Sequence, residues 1–280
     1  MKVASLTHVL GQTLSILFCS TAAVFFCIFP AHAGPQLKLV TDSFPPYYYQ
    51  VDGKTDGIMF RLIALAFKEM KMTFSFEHVP WQRALIMAET GKSDAIPGIA
   101  KTPERESALF FPEEPLLVAY IVLFYKIENK FDYKDITSLN NKRVGVIRGY
   151  SYGPDFDHFK GCIKEPGESL LQNFNKLAAG RLDLVIAYKD PGLYTLNKEN
   201  IRSNFHFSAN PVHKVPLYLA FSRKPGHKKM AISFNKALMN VKEKDSCKKV
   251  IQELGFTTED ATICGHKNHT QHTEDTQPDY

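Results

Sequence analysis

One short pattern occurs twice in this chain of 280 residues. Gly91-Lys92-Ser93-Asp94-Ala95-Ile96 sets a glycine, a basic residue, any residue and an aspartate before an apolar run. Gly180-Arg181-Leu182-Asp183-Leu184-Val185 repeats that order. In each case the glycine follows a helix-forming stretch and suits the left-handed position that ends a helix. Two readings are open: one common helix-to-strand turn used twice, or two lobes of similar build. Two long apolar stretches, Leu116–Lys126 and Val215–Ser222, are long enough to leave one lobe and enter another. They favour the second reading, in which a ligand sits between lobes near the C-terminal ends of strands.

The rest of the chain alternates in the same manner. Leu37–Thr41 reads as a buried strand and is followed by the aromatic loop Asp42–Tyr49. A helix opens at Gly57 and runs through Met70, with Met59, Ile63, Ala66 and Phe67 on one face. Met72–Val79 is a strand, Pro80 starts a helix that stops at Gly91, and Ala95–Ile99 is a strand. In the second half, Arg143–Ile147 is a strand before the glycine turn Gly149–Gly153. Glu168–Ala179 is a helix and Leu182–Ala187 a strand; His227–Leu254 is helical in two pieces, broken near Asp245. Strand and helix in alternation predict an α/β layer with a mainly parallel sheet.

Composition places the chain with soluble globular proteins, at 44% hydrophobic and 22% charged residues. Its net charge of +5 falls to +4 without Lys2, and no Lys/Arg run exceeds a pair, so no nucleic-acid partner is expected. The first 33 residues read as a leader, with Lys2, an apolar Val9–Pro30 and a small-x-small Ala31-His32-Ala33. Cleavage after Ala33 would give a mature start at Gly34 and export to the periplasm; an uncleaved anchor is the rival. Phe precedes both Cys19 and Cys27, so neither carries a lipoprotein box. The mature chain keeps Cys162, Cys247 and Cys264, of which Cys247 and Cys264 lie close in sequence and are expected to pair.

The stretch Gly91–Pro112 holds the residue that most suggests binding. It runs through a short apolar strand and the turn Lys101-Thr102-Pro103 to Arg105, whose guanidinium can fork onto a carboxylate. The plain alternative is a surface arginine beside Glu104 and Glu106.

Ordered motifs extend this into a resemblance. Trp81-Gln82-Arg83-Ala84-Leu85, Gly91–Ile96, Thr102-Pro103-Glu104-Arg105 and Phe110–Pro115 are followed by Val144–Gly149 and Leu177–Asp183. This set is similar to the periplasmic solute-binding proteins for polar amino acids (family 3), over Leu37 to about Leu254. The resemblance implies a type II periplasmic binding fold: two Rossmann-like lobes joined by a two-strand hinge. Lobe one would comprise residues 34–120 and 219–258, lobe two 121–218, with a polar tail at 259–280. It further implies that Arg105 grips a ligand carboxylate, that Gly98 presents backbone, and that Ser151 and Tyr152 meet the carboxylate at a helix start. An aromatic against the ligand is implied at Phe44, and Tyr48 and Trp81 join it as cleft candidates.

Two departures bear on the ligand. Ala100 stands where amino-acid binders carry a hydroxyl, and Tyr188 stands where they carry the aspartate that pairs with an ammonium. Asp190 is the nearest carboxylate, either as a substitute or as a helix cap. Arg83 is read as an anion contact or a lobe salt bridge, and His266, His269 and His272 as a solvated tail. The expected function is capture of a small anionic or zwitterionic solute by a monomer, with no metal or cofactor. A permease or sensor receptor on other chains would read it. A dehydratase-like enzyme on this scaffold is the alternative, and Glu104 or Asp190 would have to be its acid.

Overall fold

The computed structural model describes residues 36–254 and 263–264, so the expected leader, and the expected tail 259–280 apart from Ile263 and Cys264, lie outside the described residues. The first half contains β1 (Leu37–Thr41), the small hairpin β2 (Tyr49–Val51) and β3 (Lys54–Asp56), and α1 (Ile58–Glu69). It continues with β4 (Phe74–His78), α2 (Trp81–Glu89), β5 (Ala95–Ala100), α3 (Pro103–Ala108) and β6 (Leu109–Phe110). The long strand β7 (Leu117–Lys126) leads to β8 (Arg143–Ile147), α4 (Pro154–His158), β9 (Ile163–Gly167) and α5 (Leu170–Ala178). Then follow β10 (Leu184–Tyr188), α6 (Lys189–Lys198) and β11 (Phe205–Phe207). A second long strand, β12 (His213–Ser222), returns to α7 (His227–Glu243) and α8 (Asp245–Glu253).

The sheet order is β4-β1-β5-β12-β7-β10-β8-β9. β4, β1 and β5 are parallel, as are β10, β8 and β9. Between these sets lie β12 and β7, antiparallel to each other through pairs such as Val215↔Ala119 and Leu217↔Leu117. The result is two Rossmann-like lobes joined by two long strands, as expected. β5 and β10 are buried along their whole length, because both faces of such strands are covered. α7 returns the chain to the first lobe, where Phe234 meets Phe67 of α1 at 5.3 Å between ring centroids.

The repeated pattern has one physical explanation in both lobes. The Asp94 carboxylate accepts the Lys38 N–H at 2.7 Å while its own N–H donates to the Lys38 carbonyl at 2.8 Å. Asp183 does the same to Arg143, at 2.7 and 2.9 Å. Each aspartate therefore clasps the first strand of its lobe to the strand it opens. The preceding glycines have φ of 70° and 69°, in the left-handed region that ends a helix.

Cys247 and Cys264 form a disulfide, and Cys162 is a half-buried free thiol. α7 and α8 break at Lys244, beside the expected Asp245. Five short strands escaped the sequence reading: β2, β3, β6, β9 and β11. β9 (Ile-Lys-Glu-Pro-Gly) is a partly exposed edge strand, and β11 has three residues, so neither shows an apolar run.

Candidate functional site

The site forms where the C-terminal ends of β1 and β5 face those of β8 and β10. β5 ends at Ala100, and Thr102 caps α3 by accepting the Arg105 N–H at 3.3 Å. This short turn points Arg105 back into the protein. Its Nη1 donates to the Ala100 carbonyl at 2.9 Å, and only 8% of the residue is exposed. The guanidinium lies 5.8 Å from the Trp81 ring centroid. Among the described residues no carboxylate pairs with it, so the surface-arginine alternative fails. Burial presses its pKa downward, yet arginine remains the fixed cation here.

On the same lobe the aromatic loop folds over the strand ends. Tyr48 is fully buried; its hydroxyl accepts from Thr41 at 3.0 Å and donates to the Pro97 carbonyl at 3.3 Å. Gly98 has φ of 71°, and a Cβ there would lie 2.4 Å from the Tyr48 hydroxyl. The glycine thus serves a close approach by Tyr48 as well as lining the cavity.

The opposing lobe contributes the turn after β8 and the end of β10. Tyr150 donates across the cleft to Asp42 Oδ2 at 2.8 Å, and the Trp81 indole donates to the Gly149 carbonyl at 3.3 Å. Tyr188 donates to the Ser151 carbonyl at 3.2 Å. Phe44 stands edge-on to Tyr188 and Tyr150, at centroid distances of 5.3 and 5.9 Å. Burial raises the pKa of all three tyrosine hydroxyls, at 48, 150 and 188, so each stays a protonated donor.

These groups surround a cavity of about 20 Å³, room for roughly one water. A solute of amino-acid size therefore enters only as rings or lobes separate. Larger spaces adjoin it on both sides, one of about 460 Å³ past Gln82 and Arg148, another of about 670 Å³ past Glu104 and His158.

Of the residues expected from sequence, the cavity brings together Arg105, Gly98, Phe44, Tyr48, Trp81, Ser151 and Tyr188. Tyr152 and Asp190 do not line it. The Tyr152 hydroxyl points back to accept the Ile147 N–H at 2.7 Å, and Asp190 accepts from Tyr47 at 2.8 Å. Nor does Ser151 start a helix, because α4 begins at Pro154 after a Gly153 cap. The Ser151 hydroxyl donates to Asp157 at 2.5 Å, and the Tyr152 N–H donates to the same carboxylate at 3.0 Å. Both lobe-two donors expected for a ligand carboxylate are thus engaged. Arg83 is exposed and pairs with no carboxylate among the described residues.

The sequence reading missed Asp42 and Tyr150. Asp42 Oδ1 is buried without a hydrogen bond of ordinary length, and burial pushes the carboxyl up to about 6 despite the Tyr150 donor. The available signal was an acidic residue at the C-terminal end of a buried strand, where open α/β sheets bind ligands. Among the described residues no cluster of His, Cys, Asp or Glu is placed to hold a metal, and no helix is long and apolar enough to cross a membrane.

Comparison with known proteins now decides the family. The model of the bacterial extracellular solute-binding proteins, family 3, matches residues 37–255. The chain belongs to this family. No curated protein sequence matches this family 3 chain. Among solved structures, an ancestral arginine-binding protein bound to arginine superposes with a TM-score of 0.68. It is 22% identical, over 80% of this chain and 99% of that one. A histidine kinase sensor domain similar to periplasmic binding proteins gives 0.70 at 18% identity, over 79% and 96%. An ancestral amino acid-binding protein, a precursor of cyclohexadienyl dehydratase, gives 0.65 at 21%, over 78% and 94%. At these identities the likeness carries the fold.

Proposed function

We propose that this family 3 protein captures a small carboxylate-bearing solute, an amino acid or a related compound, in the cleft between its lobes. One observation carries the reading: Arg105 is buried in that cleft, where its guanidinium donates to the Ala100 carbonyl and, among the described residues, meets no carboxylate. A guanidinium withdrawn from water needs an anion, and an incoming carboxylate supplies it with paired hydrogen bonds. The amino acids named for similar structures, arginine and glutamine, support the class of solute.

Lobe one would span 34–120 and 219–258, and lobe two 121–218; the antiparallel β7 and β12 between the two parallel sets support this division. The leader would direct the chain to the periplasm, in keeping with an extracellular family. The closed form would then be read by a permease of an importer or by a membrane receptor on other chains. The sensor-domain neighbour supports the receptor.

The test is a thermal-shift screen over amino acids, dicarboxylates, polyamines and aromatic acids, followed by calorimetry on the best binder. Arg105→Ala should weaken that binder by roughly 2–5 kcal/mol, or about 1.5 to 3.5 decades. Unchanged affinity would remove Arg105 from the site.

A dehydratase reading has one observation in its favour. Asp42, a buried cleft carboxyl held at about 6, has the property of a general acid. Glu104 and Asp190, the acids considered from sequence, are less apt: Glu104 is exposed and Asp190 is held by Tyr47. Incubation with prephenate-like acids separates the readings, since turnover requires the enzyme.

A further inference from the structure

The cavity beside Arg105, at about 20 Å³, is too small for any organic solute, but a compartment of suitable size adjoins it. The space past Gln82 and Arg148 measures about 460 Å³, ordinary for a small-molecule pocket. Its walls include Phe44, Pro45, Trp81, Leu171, Pro191 and Tyr194. Apart from Asp42, its charged residues are exposed at the rim, where Arg148 pairs with Glu168 at 3.4 Å. The space on the other side shares Ala100 and Ser151 with the cavity, and no ring.

Asp42, Phe44, Trp81 and Tyr150 line both the cavity and the compartment. Asp42 and Phe44 follow β1 and Trp81 opens α2, on the Arg105 side; Tyr150 reaches across from the turn after β8. Its half-buried ring meets Phe44 and Trp81 edge-on, each at 5.9 Å between centroids. Its hydroxyl donates to Asp42 at 2.8 Å. A ring held in this way closes the path from Arg105 to the compartment.

Resting on Arg105 as the carboxylate anchor, we propose that Tyr150 is a plug between anchor and compartment. The solute is then a carboxylate whose apolar or aromatic body displaces the plug and lies beyond it. Displacement breaks the bond to Asp42 and the two edge contacts. A body against the compartment walls offsets that loss by burying apolar area, and a solute as short as glycine does not. Tyr150 thus sets a lower limit on solute size, and its bond to Asp42 opposes binding. A ring that merely covered a bound solute would favour it.

The experiment is calorimetry and stopped-flow binding on the purified protein with two sets of probes. One set compares glycine and alanine with phenylalanine and tyrosine; the other compares acetate and lactate with phenylpropionate and phenyllactate. In at least one set the wild type should bind the aromatic members roughly 10-fold or more tighter than the short ones. Tyr150→Phe keeps the ring but removes its bond to Asp42. It should tighten the aromatic probes by roughly 5-fold, chiefly through faster association. Leu171→Trp, which fills the compartment from α5, should weaken aromatic probes roughly 10-fold more than short ones.

Weaker binding by Tyr150→Phe would make Tyr150 a cover over the solute and overturn the plug. If short probes bind as tightly as aromatic ones in both sets, and Arg105→Met releases them, the inference fails and the carboxylate reading stands. If Arg105→Met releases nothing, the carboxylate reading fails and takes the inference with it. Binding of none of the eight probes also overturns the inference. The wild-type ranking and Leu171→Trp leave Tyr150 intact, so a folding defect in Tyr150→Phe would not hide the answer.

Discussion

A carboxylate moved from water into the cavity beside Tyr150 loses hydration that hydrogen bonds from the Tyr150 hydroxyl, its own backbone and the Thr41 side chain only partly replace. For Asp42, burial outweighs those bonds and raises the pKa from the ordinary 3.8 to about 6. The native state therefore holds this proton more tightly than the unfolded chain does. That contribution to stability is fully present below pH 3.8 and is lost as pH rises through about 6. Asp42→Asn abolishes the titration while keeping an oxygen for Tyr150. In urea unfolding the variant should match the wild type at a pH of about 4 and exceed it above about 7, by up to about 3 kcal/mol. Equal loss at both pH values would show that the carboxyl is not under strain. A residue that weakens the fold yet sits at the cleft fits a role in binding. Sequence alone could not weigh it, because whether an aspartate after a strand is buried depends on which aromatic rings fold over it.

At the scale of elements, most of the α/β alternation was legible, since buried parallel strands and amphipathic helices leave clear patterns. Ala95–Ala100 is apolar throughout, and α1 buries Met59, Ile63, Ala66 and Phe67 as its spacing predicts. Edge strand β9 was not legible because its partly exposed residues include no apolar run. The helix start expected at Ser151 moved to Pro154 because Gly153 caps α4 and Asp157 takes the Ser151 proton. The repeated Gly-basic-x-Asp pattern was visible, but its purpose was not, since a clasp is closed by distant strands. The two clasps should differ in strength. Asp94 is largely buried and also accepts from Lys224 at 2.7 Å, whereas Asp183 is exposed. Asp94→Ala should cost roughly 2–3 kcal/mol and Asp183→Ala about 1 kcal/mol, read from chemical denaturation. Equal effects would mean that the clasp hydrogen bonds do not set the order.

Across the whole molecule, binding and closure are coupled because the site is divided between lobes that only β7 and β12 join in the sheet. Pairings from one lobe to the other then act on affinity even where they never meet the solute. Trp81 to Gly149 and Tyr150 to Asp42 border the cavity, so substitutions there mix closure with contact. The bond from Tyr47 to Asp190, at 2.8 Å, lies outside the cavity lining and reports closure more cleanly. Asp190 drew notice in the sequence as a stand-in for the missing ammonium partner. Its actual neighbour, Tyr47, is distant in sequence and could not be read from spacing. Tyr47→Phe removes one hydrogen bond to a charged group, about 1.5–3 kcal/mol, and favours the open arrangement by that amount. Affinity for the solute should fall roughly 10- to 150-fold, chiefly through faster dissociation. The ranking of solutes should not change, because Arg105 and the other cavity residues remain in place. A change in that ranking would make Tyr47 part of the recognition site, and an unchanged dissociation rate would remove its bond to Asp190 from closure.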